Sequence, residues 1–164
     1  MNTMFYTTPK NRTSRLFASF FVCFFLLLFS NLAYCEMLSI NGDKVNLRSG
    51  PGTKYGVKWE YGSGFPVKVV QRKGKWVKVK DFENDSGWVH QSLLMKNPQM
   101  IVKANKNQDK KINIRENPGT KHKIVGQAYY GVVFKTLQQK ADWVKVEHES
   151  GLTGWIKRSL LWGY

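Results

Sequence analysis

The stretch Val45-Asn46-Leu47-Arg48-Ser49-Gly50-Pro51-Gly52-Thr53-Lys54 returns further along the chain as Ile112-Asn113-Ile114-Arg115-Glu116-Asn117-Pro118-Gly119-Thr120-Lys121. A shift of 67 positions aligns Val45–Leu94 with Ile112–Leu161 without a gap, and 19 of the 50 aligned pairs are identical. They include Trp76-Val77-Lys78-Val79 with Trp143-Val144-Lys145-Val146, Gly87-Trp88 with Gly154-Trp155, and Ser92-Leu93-Leu94 with Ser159-Leu160-Leu161. Register held over that distance marks a duplication. Two copies are too few for a solenoid, so each unit is expected to carry its own small core.

Within a copy the period is two. Val45 and Leu47 alternate with Asn46 and Arg48; Val77 and Val79 alternate with Trp76, Lys78 and Lys80. Such segments are half-buried strands with one wet face. Between them the turn residues are dense: Gly50-Pro51-Gly52, Gly62-Ser63-Gly64, Lys73-Gly74 and Asn84-Asp85-Ser86-Gly87. Pro51-Gly52, and again Pro118-Gly119, suit a type II turn, in which Pro presets φ and Gly takes the left-handed position. About five short strands in so few residues point to a small all-β barrel. A 3₁₀ turn at Ser92-Leu93-Leu94 would close it. The expected domains are 36–95 and 101–164, joined by a linker over 96–100.

Residues 1–35 read differently. Lys10, Arg12 and Arg15 precede an uncharged, Phe- and Leu-rich run from Leu16 to Phe29, and Ser30, Asn31 and Ala33 close it. That order is a secretory signal, here expected as a helix cleaved near Ala33 or Cys35. An uncleaved anchor over Leu16–Tyr34 is the alternative. Cys23 and Cys35 both fall in or beside this leader, so the mature chain offers no intramolecular disulfide or Cys-ligated metal. The formal net charge is +15, and loss of the three basic leader residues leaves +12. That balance favours polyanionic partners: wall polymers, lipid headgroups or nucleic acid. An exported protein meets the first two more often, so nucleic acid is not expected, and membrane contact is expected only transiently or through an uncleaved leader.

The order Val-Asn-Leu-Arg, Pro-Gly-Thr, Trp-Val-Lys-Val, Gly-Trp-Val and Leu-Leu resembles the bacterial Src-homology-3-like (SH3-like) domain, twice, over 37–95 and 99–164. The resemblance implies two tandem five- to six-stranded barrels. It also implies an exported, periplasmic or secreted setting, with peptidoglycan or another wall component as ligand. Such domains often accompany wall hydrolases; here the repeats use the whole mature chain, so a non-catalytic binding protein without cofactor or metal is expected. The competing expectation is a secreted or periplasmic protein-interaction module.

Candidate ligand contacts lie where the copies differ. After the Pro-Gly-Thr turn, copy one has Tyr55, Trp59 and Tyr61, whereas copy two has His122, Tyr129 and Tyr130. Aromatic loop tips on a rigid scaffold make a recognition surface; the alternative is packing across the barrel mouth. Arg48 and Arg115 could clamp a carboxylate or hold the carbonyls of the adjacent turn. Trp88 and Trp155 are expected in the core. His90, His122 and His148 fall at non-equivalent positions and form no recognisable catalytic set. The acidic pairs Asp81/Glu83 and Glu147/Glu149 read as solvated charge.

Overall fold

Strands whose apolar residues all face one way have to curl around a shared core, and each copy does so. The computed structural model describes residues 36–164, together with Met1, Thr3 and Met4. The expected signal helix therefore lies outside the described residues. The first sheet contains β1 (Met37–Ile40), β2 (Val45–Arg48), β3 (Val57–Tyr61), β4 (Pro66–Lys73), β5 (Trp76–Lys80), β6 (Ser86–His90) and β7 (Leu94–Met95). The second contains β8 (Gln99–Val102), β9 (Ile112–Arg115), β10 (Ile124–Ala128), β11 (Val133–Lys140), β12 (Trp143–Glu147), β13 (Thr153–Lys157) and β14 (Leu161–Gly163).

Hydrogen-bonded order in the first sheet is β3-β2-β6-β5-β4-β1-β7, and the second repeats it as β10-β9-β13-β12-β11-β8-β14. All pairs are antiparallel. One 3₁₀ turn precedes the last strand of each sheet, at Gln91–Leu93 and Arg158–Leu160. Gln99 and Met100 already belong to β8, so only 96–98 stand between the two sheets.

The inward residues form two separate cores. Ile40, Leu47, Val67, Val77, Val79 and Val89 lie at the centre of the first. Val102, Ile114, Phe134, Val144, Val146 and Ile156 lie at the centre of the second. Even the irregularities are duplicated. The β4–β5 ladder slips between Val69 and Gln71, and β11–β12 slips at the aligned Thr136 and Gln138. Each bulge adds one unpaired residue and bends a long strand around the barrel. Those residues, Val70 and Leu137, point to solvent.

The Pro-Gly turns differ from the type II expectation. Gly52 does not take a positive φ, and Gly119 sits at 145°, far from the value of about +80° that a type II turn requires. Gly52 N–H instead donates to the Gly50 carbonyl across Pro51, at 3.0 Å. In the first copy the Tyr55 ring lies over Gly50, so close that a Cβ there would stand 2.4 Å from it.

Close approach also explains two identical glycines. At Gly87 on β6 a Cβ would lie 2.6 Å from Leu47 Cγ and 2.7 Å from the Arg48 carbonyl oxygen. At Gly154 on β13 it would lie 2.5 Å from Ile114 Cγ2 and 2.9 Å from the Arg115 carbonyl oxygen. Backbone cannot yield as a side-chain tip can. Gly87→Ala and Gly154→Ala should each destabilise the chain by about 1–3 kcal/mol. Gly62→Ala, where an added methyl meets nothing within 4 Å, should stay within about 0.5 kcal/mol. Guanidinium unfolding curves of the three variants make the comparison.

Candidate functional site

A buried tyrosine stands beneath the mouth of the first barrel. β3 is an edge strand, and along it only the last residue faces the core. Tyr61, expected on an exposed loop, is 2% exposed and packs with Leu47 and Val67 in the core. Its hydroxyl donates to Asp81 Oδ2 at 2.8 Å. Asp81 Oδ1 accepts the Glu83 and Asp85 backbone N–H groups at 3.0 and 2.9 Å. Asp81 is thus a buried, fully engaged carboxylate that organises the β5–β6 hairpin, not the solvated charge its sequence context suggested. Burial, reinforced by the hydrogen bond to Asp81, pushes the Tyr61 phenol far above its ordinary range.

The arginines hold their own loops. Arg48 Nη1 donates to the carbonyls of Thr53 and Tyr55 at 3.1 and 2.9 Å. Arg115 Nη1 donates to the aligned carbonyl of His122 at 2.7 Å. Trp88 and Trp155 are buried, while Trp76 stacks edge-on against His90 at 5.5 Å. Trp59 stands out at 63% exposed, on the strand β3 rather than on a loop. Tyr55 is marginally exposed beneath Lys54, with Nζ 5.5 Å from the ring centroid. Tyr129 is 45% exposed, and Lys111 Nζ stands 4.6 Å above its ring.

Tyr130 has a different place: it joins the barrels. An aromatic series runs outward from the first core, Tyr61 on Phe65 at 4.5 Å and Phe65 to Phe82 at 5.8 Å. Phe82 then meets Tyr130 at 5.2 Å and Trp162 at 6.4 Å in the second barrel. Beside it the Tyr130 hydroxyl and the Lys106 ammonium both donate to Glu83. Those two bonds, Lys106 first, hold the Glu83 carboxyl below its usual range. Ile101, on the outer face of β8, is wholly buried. A cleft of about 260 Å³ remains here, lined by Trp59, Phe65, Phe82, Glu83, Asp85 and Ile101 among others. The predicted residues are therefore dispersed: Arg48, Arg115 and Tyr61 in the scaffold, Tyr130 at the joint, Trp59 at the cleft, and Tyr129 at the second mouth. Asp81 and Glu83 read as solvated charge in the sequence, and Phe82 and Lys106 are not singled out there; the sequence signal is that the copies disagree at 81/148 and 83/150.

The model of the bacterial SH3 domain matches residues 41–96 and again 108–163. The chain belongs to that family. A putative N-acetylmuramoyl-L-alanine amidase, YrvJ of Bacillus subtilis (strain 168), is 28% identical over 120 residues, or 70% of this chain and 23% of the amidase. The chain thus spans about a quarter of that relative's length. An NlpC/P60 family protein from Bacillus cereus ATCC 10987 matches with a TM-score of 0.36 and 17% identity, covering 79% of this chain and 56% of that one. NlpC1 from Trichomonas vaginalis matches with a TM-score of 0.35 and 12% identity, covering 82% and 48%. Among the described residues no three His, Cys, Asp or Glu side chains are grouped to hold a metal ion.

Within the two bacterial SH3 domains, the Tyr61–Asp81 pair occurs once; Ala128 and His148 stand at the aligned positions. Tyr61→Phe removes one donor from a buried carboxylate and should cost about 1–3 kcal/mol near neutral pH. The phenol's pKa is raised on folding, so its contribution is complete below the ordinary tyrosine value of 10.0 and is lost as pH rises beyond it. The stability gap between parent and Tyr61→Phe should therefore narrow above about pH 10, as measured by denaturant unfolding at stepped pH.

Proposed function

We propose that this chain is an exported, non-catalytic binding protein whose tandem bacterial SH3 domains recognise peptidoglycan. The observation that carries this reading is the match to a relative named as a muramoyl-alanine amidase, which spans 120 residues and covers 70% of this chain but only 23% of the amidase. What the two proteins share is the repeat region, the part suited to holding an enzyme on its substrate rather than to cutting it. The leader and the net charge of +12 on the remaining chain favour export and an anionic envelope polymer. Two linked domains can engage neighbouring sites on a repetitive polymer, and linkage then raises the effective concentration of the second contact.

Sedimentation with purified peptidoglycan tests the reading. Enrichment should exceed that of a charge-matched control protein and persist at high salt, where contacts between exposed charges are screened. Binding no greater than the control's would exclude a specific wall function and leave only the basic surface.

A further inference from the structure

The two barrel mouths are built from aligned positions with opposite chemistry. In the first barrel these positions carry Glu60, Tyr61, Asp81, Glu83 and Asp85; in the second they carry Gln127, Ala128, His148, Ser150 and Leu152. Four carboxylates are lost at these positions, the hairpin's own Glu147 and Glu149 lining a different cleft, and the buried tyrosine is cut back to a methyl. A cavity of about 310 Å³ stands at this end of the second barrel. Its apolar wall includes Ala128, Phe134 and Leu152, while Lys111, Tyr129 and His148 supply the polar side. No Asp or Glu lines it.

We propose that this mouth binds the C-terminal residue of a peptide, with the carboxylate at Lys111 and a small aliphatic side chain over Ala128. Three observations support that occupant. The volume is at the lower limit for ligand pockets, room for about one or two residues. Lys111 is held at the rim over the Tyr129 ring, and among the described residues no carboxylate pairs with it. β10, which brings Gln127 and Ala128 to the pocket, is the edge strand of its sheet. An extended peptide can hydrogen-bond along such an edge while its end enters the pocket. His148 Nδ1 accepts the Ser150 N–H at 3.2 Å, so the neutral ring keeps its proton on Nε2 as a further donor. The corresponding cleft of barrel one, about 260 Å³, is unsuited to this ligand: Tyr61 occupies the position of Ala128 beneath it, Asp81, Glu83 and Asp85 line it and disfavour a carboxylate, and Glu83 is engaged by the second barrel.

The proposal rests on reading the second repeat as a binding module, not on the wall as its target. Isothermal titration of the full chain with acetyl-alanyl-alanine, as the free acid and as the C-terminal amide, tests it. The L and D forms separate a protein C-terminus from a wall peptide as the source. The free acid of one form should bind at least tenfold more tightly than its amide. Ala128→Tyr, which installs the residue of the first repeat, should abolish binding. Lys111→Gln, an exposed change that does not depend on repacking, should weaken the acid tenfold and leave the amide unaltered. Equal binding of acid and amide, or undiminished binding by Lys111→Gln, would overturn the proposal. If the Ala128→Tyr variant still sediments with peptidoglycan as the parent does, the wall reading survives and this pocket is not its site.

Discussion

A carboxylate withdrawn from water must be hydrogen-bonded or lose its charge, and Asp81 meets that demand with Tyr61 and two backbone amides of its own hairpin. Much else follows from this contact. It fixes the turn between β5 and β6 and holds an aromatic ring at the buried end of β3. That ring starts the series through Phe65 and Phe82 to Tyr130 and Trp162. The hairpin also presents Glu83, on which Lys106 and Tyr130 converge. The hairpin that holds Tyr61 is thus also the one that meets the second barrel.

The second repeat keeps the frame and drops this device. Its hairpin is capped by His148 and Ser150 instead of a buried acid, and Phe134 in place of Val67 fills only part of the space left by Ala128. Selection on packing alone would tend to restore lost volume, because an unfilled core position costs stability. A cavity beside a lysine that pairs with no carboxylate among the described residues has the composition of a binding site: apolar walls with a few convergent polar groups. Duplication thus supplied two equal scaffolds, one of which became the anchor and the other the free mouth.

Much of the scaffold was legible in the sequence. Alternation in Val45-Asn46-Leu47-Arg48 and Trp76-Val77-Lys78-Val79 identified strands whose pattern of burial is the one observed. Gly87, read as the end of a turn cluster, lies on β6, where it and the matching Gly154 stand at close strand approaches that leave no room for a Cβ. Tyr61 was misplaced because β3 is an edge strand, wet along most of its length. Its aromatic and glycine-rich surroundings imitate a loop, and only its final residue turns inward. Asp81 misled for another reason: the donors that satisfy it are partly backbone amides, which leave no mark on residue identity. Contacts between repeats, such as Glu83 with Lys106, are invisible to an alignment that compares each copy with its equivalent rather than with its neighbour. Differences between the copies carried the missing information.

On this proposal recognition belongs to the mouth of the second repeat, on a frame it shares with the first. Amide chemical-shift mapping of the isotope-labelled chain during titration with soluble peptidoglycan fragments tests it most directly. Shifts should cluster at Lys111, Tyr129, His148 and Leu152, with the aligned Lys44, Gly62, Asp81 and Asp85 unmoved. Shifts of equal size at both mouths, or confined to the first barrel, would contradict it.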